Sequence, residues 1–229
     1  MNILLTGHTR GIGNEILKIL LKQNCTVHGV SRSGAKNSHP KLSEHLCDLS
    51  DTNETEKLCR KLEKIKFDAV ILNAGYNHIK PADAYKTEEI IKIINVNFTS
   101  NAALIRATLP GLLNQKGTII GLGSYSALEV AKWNNFYGAS KAGFHHLLKN
   151  IFEQYRKQGL RVSNIIPDIT NTTFYEHQDF EPSEDLETYI DASEIAELVY
   201  ELLFNPKRYV PLELLIRPQK FEIKRKGKI

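Results

Sequence analysis

Tyr137 and Lys141 stand four residues apart in the run Tyr137-Gly138-Ala139-Ser140-Lys141. On a helix that spacing puts a phenol and an ammonium on one face, with Cβ atoms about 5–6 Å apart. A free phenol has a pKa near 10, so its use as a proton donor or acceptor around neutrality asks for roughly 3–4 kcal/mol of help. A unit charge about 4 Å away at an effective dielectric of about 20 supplies about 4 kcal/mol. Lys141 is therefore sufficient in size to run such chemistry. The pattern alone is weak, because a second copy occurs at Tyr76-Asn77-His78-Ile79-Lys80. There Pro81 follows Lys80 and disfavours helix. Thirteen residues before Tyr76 stands Glu63, whereas thirteen before Tyr137 stands Ser124, just beyond an apolar run.

A second chemical signal lies at the start, where Ile3-Leu4-Leu5 opens directly into Thr6-Gly7-His8-Thr9-Arg10-Gly11-Ile12-Gly13 and then a helical pattern. Gly7 and Gly11 allow tight or positive-φ turns, Gly13 lets helix and strand approach, and the helix N-terminus offers N–H groups to a pyrophosphate. The spacing is G-x-x-x-G-x-G rather than G-x-G-x-x-G, and no G-K-[ST] follows, which disfavours a P-loop. The turn reads as a dinucleotide phosphate site, with a purely structural turn as the alternative.

Strand-like and helix-like segments alternate behind these motifs. Strands are predicted at 3–6, 26–30, 44–47, 69–72, 117–122, 161–166 and 213–216, several of them unbroken apolar runs of the kind found where both sheet faces are covered. Helices are predicted near 11–23, 51–65, 87–114, 135–158 and 191–204, with Asp51, Thr87 and Asp191 as capping residues. The fold class this implies is α/β: a single-domain, doubly wound parallel sheet of the Rossmann type, about seven strands with helices on both faces. Residues 170–190 are the least regular stretch, contain Pro182, and follow the sixth strand, where open α/β sheets carry ligand-binding loops. They read as a substrate lid belonging to one domain over 1–218. Lys220, Lys224, Arg225, Lys226 and Lys228 crowd the end, so 219–229 reads as a basic, solvated tail.

Composition narrows the remaining classes. Of 229 residues 41% are hydrophobic and 24% charged, and no apolar run approaches the roughly 20 residues of a membrane span. A net charge of +4 gives little reason to expect a nucleic-acid or membrane partner. No basic-then-apolar leader pattern precedes the first strand, and the expected address is cytoplasmic. Cys25, Cys47 and Cys59 form no ligand cluster, and His145-His146 reads as a helix-face pair, so no metal site is expected.

Asn73-Ala74-Gly75 after the fourth strand, Asn97 in the next helix, Ser124 and Tyr137-x-x-x-Lys141 follow the glycine turn in a particular order and spacing. In these motifs, from Thr6-Gly7 through Ile216-Arg217-Pro218, the chain resembles the short-chain dehydrogenase/reductase family. The resemblance implies that Asn97, Ser124, Tyr137 and Lys141 form a catalytic tetrad. Ser124 would hydrogen-bond the substrate oxygen, Asn97 would hold a water that returns protons to Lys141, and Lys141 would also bind the nicotinamide ribose. Taken separately, Asn97 could instead be a buried residue bonding backbone, Ser124 a strand-end cap, and Tyr137 with Lys141 a surface pair.

The same resemblance assigns cofactor contacts. Gly7, Thr9, Arg10, Gly11, Ile12 and Gly13 would hold the phosphates, and Ser31 and Arg32 would end the second strand beside the adenosine ribose. Asp48 would meet the adenine amino group, Leu49 would supply backbone, and Asn73, Ala74 and Gly75 would pack under the adenine-side ribose. Pro167, Thr170 and Thr172 would hold the carboxamide. At the second strand's end an acidic side chain favours a ribose hydroxyl and a basic one a 2′-phosphate. Ser31 is no carboxylate, Arg32 offers a planar fork, and Arg10 is a second cation, which favours NADP(H). One departure is Asp168, where the family usually has glycine after Pro167.

The function implied is an NADP(H)-dependent oxidoreductase passing a hydride between nicotinamide and a small carbonyl or secondary alcohol, working as a homodimer or homotetramer. A redox-sensing or scaffold protein that binds NADP without turnover is the alternative. Ser124, Asp168 and His177 have the chain order of a hydrolase triad, but Leu122-Gly123-Ser124-Tyr125-Ser126 is no G-x-S-x-G elbow. Tyr76, Asn77, His78, Ser126, Trp133, Asn134, Phe136, Phe174, Tyr175 and His177 are the expected pocket wall.

Overall fold

Alternation along β1 (Asn2–Thr6) and β4 (Ala69–Leu72) shows why their apolar runs are continuous. Leu4, Val70 and Leu72 enter one hydrophobic cluster, while Ile3, Leu5, Ala69 and Ile71 enter another on the opposite face. The computed structural model describes residues 1–35, 38–130, 134–176, 178 and 180–226. Trp133, His177 and Lys228 lie outside the described residues.

With β2 (Thr26–Ser31), β3 (Leu42–Leu46), β5 (Thr118–Leu122), β6 (Arg161–Pro167) and β10 (Glu213–Ile216), these strands form a seven-stranded parallel sheet in the order β10-β6-β5-β4-β1-β2-β3. One face is covered by α1 (Gly11–Lys22) and α6 (Ala192–Phe204) through Ile16, Leu20, Ile195 and Val199. The other carries α2 (Thr52–Leu62), α4 (Ser100–Gln115) and α5 (Asn135–Tyr155) through Leu58, Leu104, Phe144 and Leu148. The order reverses between β1 and β4, and a crevice opens at their carboxyl ends, the usual ligand position in such sheets.

Three departures from the sequence reading bear on the site. The helix predicted at 87–114 is three pieces: α3 (Thr87–Ile94), a π-turn at Asn95–Thr99, and α4. The Ser100 N–H reaches five residues back to the Asn95 oxygen. Ser100 Oγ and Asn101 Nδ2 donate to the Val96 and Asn97 oxygens at 2.9 Å each, adding side-chain bonds along the turn. Second, Thr87 does not cap α3; Lys86 stands at the cap position, and the Glu89 carboxylate accepts its N–H at 2.8 Å. Asp51 does cap α2, accepting from the Asn53 and Glu54 N–H groups.

Third, the terminal segment is exposed but not free. The stretch after β6 carries β7 (Thr170–Asn171), β8 (Phe180–Pro182) and β9 (Ile190–Asp191), and β11 (Ile223–Arg225) pairs antiparallel with β8. Lys224 to Glu184 at 2.7 Å and Lys226 Nζ to the Tyr175 oxygen at 2.6 Å strap the terminal segment to the stretch that carries β8. Among the described residues no helix is long and apolar enough to cross a membrane.

Candidate active site

The glycine turn sits at the carboxyl end of β1. Gly7 and Gly11 take φ of +70° and +52°, which L side chains rarely adopt. Gly13 serves close approach instead, since a Cβ there would lie 2.0 Å from the Gly7 oxygen. No side chain caps α1 at Arg10, so its first N–H groups remain available to an anion. Thr6 Oγ1 accepts from the Asn73 and Ala74 N–H groups at 3.0 Å each, and Asn73 Nδ2 donates to the Thr6 and Gly7 oxygens. This stitching fixes Asn73-Ala74-Gly75 beside the turn and consumes the Asn73 amide.

A cleft of about 360 Å³ runs from there across the sheet ends. Its walls include Gly7, Thr9, Arg10, Gly11 and Ile12, then Ser31, Arg32, Asp48 and Leu49, then Asn73, Ala74 and Gly75. Farther along lie Ser124, Tyr137, Lys141, Pro167, Thr170 and Thr172. Gly13 and Asn97, expected at the site, are not in the wall; both stand behind it. Lys92 and Val96 line it although the sequence reading missed them. They stand four residues apart, the spacing of one helix face, just ahead of Asn97, which was the available signal. Of the expected pocket wall, Tyr76, Phe174 and Tyr175 are present, whereas Asn77, His78, Ser126, Asn134 and Phe136 are not. His78 turns to Glu89 at 3.3 Å, and Phe136 packs edge-on against Tyr85.

Asn97 spends its side chain on protein. Its Oδ1 accepts from the Tyr76 N–H at 2.8 Å, and Nδ2 donates to the Tyr76 oxygen at 2.8 Å and to Ser140 Oγ at 3.0 Å. Both amide hydrogens are used on protein groups, and these bonds tie Tyr76 to α5. A Cβ at Gly75 would stand 3.7 Å from both Asn97 Oδ1 and Lys141 Nζ, so the glycine leaves room between them.

Lys141 is 3% exposed and donates to the Leu122 oxygen at 2.8 Å. Its Nζ lies 5.9 Å from the centre of the Tyr137 ring. Burial pushes Lys141 down to about 8 and Tyr137 up to about 12, with Ser124 pulling Tyr137 the other way through a hydrogen bond. In the protein alone desolvation is the larger influence, and the phenol stands above its usual value.

Charge is arranged at both ends. Burial opposes ionisation of Asp48, yet hydrogen bonds from the Ser50 N–H and hydroxyl, with Arg32 and Lys92 nearby, hold its carboxyl below the usual range. Asp168 is absent from the residues with positive φ, so the loop follows a path glycine does not require. Its carboxylate pairs with Arg217 at 2.9 Å, and Arg217 stacks 4.2 Å over the Tyr125 ring. Among the described residues no group of three or more His, Cys, Asp or Glu side chains could hold a metal.

Residues 1–182 match the family model described as short chain dehydrogenase. The chain belongs to that family. Short-chain dehydrogenases are oxidoreductases that use a nicotinamide cofactor and act on small molecules. An uncharacterized oxidoreductase of Staphylococcus epidermidis is 29% identical over 229 residues, covering 94% of this chain and 96% of that protein. Among solved structures, an alcohol dehydrogenase from the archaeon Thermococcus sibiricus complexed with 5-hydroxy-NADP superposes with a TM-score of 0.82 at 23% identity, covering 96% of this chain and 98% of that one. A 4-hydroxyisoleucine dehydrogenase complexed with NADH gives 0.83 at 22% identity, covering 95% and 97%. At those identities the likeness speaks to fold alone.

Proposed function

We propose that this chain is an NADP(H)-dependent oxidoreductase that moves a hydride between nicotinamide and a small carbonyl or secondary alcohol. The observation that carries the reading is the meeting of Ser124, Tyr137 and Lys141 in one cleft with the glycine turn. The uncapped α1 terminus and the positive-φ turn suit a pyrophosphate, and the cofactor, when bound, supplies or accepts the hydride.

Tyr137 is the proton donor for carbonyl reduction. The phenol is protonated through the neutral range, and giving up its proton depends on stabilising the phenolate left behind. Ser124 hydrogen-bonds the substrate oxygen as negative charge grows on it, and the Lys141 ammonium stabilises the phenolate left behind. Burial strengthens that attraction, because solvent screens it less.

NADP over NAD is read from this chain's residues, since one fold relative carries an NADP analogue and another NADH. Ser31 ends β2 without a carboxylate, and Arg32 and Arg10 both reach the cleft. A cytoplasmic homo-oligomer belongs to the same reading. The test is NADPH oxidation against a panel of ketones and aldehydes, with NADH in parallel. Turnover with faster NADPH oxidation supports it, and cofactor binding without turnover anywhere in the panel favours a redox sensor.

A further inference from the structure

We propose that Glu44, bridged to His8, is a positioning residue that sets the Arg32 turn for the cofactor's 2′-phosphate, an inference that rests on the NADP reading. Glu44 lies on β3 in register with Gly29 of β2, and Gly29 is in register with Leu5 of β1. His8 leaves the end of β1 inside the glycine turn and is wholly buried. Its Nε2 meets Glu44 Oε1 at 2.9 Å, so the contact crosses over β2. It can do so because residue 29 has no side chain: a Cβ there would lie 2.6 Å from the His8 ring.

The far end of this bridge grips the Arg32 turn. Glu44 Oε1 also accepts the Ala35 N–H, and a Cβ at Gly34, where φ is +68°, would lie 3.4 Å from both carboxylate oxygens. Ser31 Oγ accepts the Gly34 N–H at 3.2 Å and closes the turn. Burial opposes ionisation of Glu44, but hydrogen bonds from His8 and Ala35 hold it below the usual carboxylate range. The chain on either side of Arg32 is thereby tied to the loop that would hold the pyrophosphate. Arg32 lines the cleft while Glu44 does not, so the anion anchors the turn from outside. Fixing the backbone that carries a long, flexible cation lowers the ordering cost of gripping a phosphate. That benefit applies to NADPH and not to NADH, which lacks the phosphate.

Fluorescence titration of NADPH and of NADH onto wild type, Glu44→Leu and Glu44→Gln tests this, with thermal melts run on each protein. Glu44→Leu is expected to weaken NADPH about tenfold and to move NADH less than about twofold. Glu44→Gln keeps an oxygen for the Ala35 N–H and is expected to stay within about threefold of wild type for NADPH. Equal weakening of both cofactors, or none, would overturn the proposal. Should Glu44→Leu fail to fold, Glu44→Ala removes the same carboxylate and is judged by the same ratio. A wild type that binds NADH more tightly than NADPH would sink the NADP reading itself. That failure shows before any variant is made and is distinct from an unchanged ratio in Glu44→Leu.

Discussion

The Lys141 ammonium donates to the Leu122 main-chain oxygen at 2.8 Å, and it stands 5.9 Å from the centre of the Tyr137 ring. The two groups are not in contact through the ring, and burial sets their proton balance. Lys141 is held at about 8 and Tyr137 at about 12.

The pH dependence of reduction follows. Below about 8 Lys141 is charged and favours the phenolate formed at Tyr137; as pH rises through that value the charge is lost while the phenol keeps its proton. The NADPH-dependent rate is expected to be level in the mildly acidic to neutral range and to decline as pH rises through about 8. Initial rates at saturating cofactor check this, and a rate that climbs through the same window would contradict it.

Lys141 also burdens stability. Its folded value lies below its usual 10.5, so the folded state binds fewer protons than the unfolded chain between about 8 and 10.5. Stability therefore rises with pH across that window, and the penalty is fully present below it. Lys141→Met is expected to abolish turnover while raising stability at neutral pH by about 1–3 kcal/mol, offset in part by the lost bond to Leu122. Chemical denaturation at neutral and alkaline pH measures the gain, which should shrink as pH rises.

Much of this arrangement was legible from residue order. The run at 69–72 reads as a covered strand because its residues feed both hydrophobic clusters, and the glycine spacing reads as a turn because two positions need positive φ. The π-turn at Asn95–Thr99 was not legible, since a one-residue bulge leaves the apolar pattern before and after it intact. The direction of the Tyr137 shift depends on burial, and the Asp168 pairing joins residues 49 apart; both are tertiary facts. The strap of β11 on β8 was hidden because its sequence is polar, and its partners lie about 40 residues upstream.

Asn97 carries a structural load that can be separated from cofactor binding. Asn97→Ala leaves the Tyr76 N–H and oxygen without their side-chain partners and removes one bond to Ser140. A loss of about 2–4 kcal/mol in unfolding free energy is expected. NADPH affinity should hold while kcat falls, because the changed contacts lie behind Gly75 and Lys141. Urea denaturation and cofactor titration measure the two separately.

The proposed cofactor choice can be tested at the end of β2. Ser31→Asp places a carboxylate beside the adenosine ribose, where it repels a 2′-phosphate and accepts from a 2′-hydroxyl. NADPH KM is expected to rise at least about tenfold, equivalent to about 1.4 kcal/mol, and NADH KM to fall. Parallel kinetics with the two cofactors provide the check, and an unchanged ratio would remove Ser31 and Arg32 from the specificity argument.

The most direct measurement is Tyr137→Phe, which deletes one hydroxyl from a buried ring. On the ketone or aldehyde that wild type reduces fastest with NADPH, kcat is expected to drop by about 10²–10⁴-fold, with NADPH binding unchanged by fluorescence titration. Full carbonyl-reducing activity in the phenylalanine variant would contradict the role given to Tyr137 and with it the proposed chemistry.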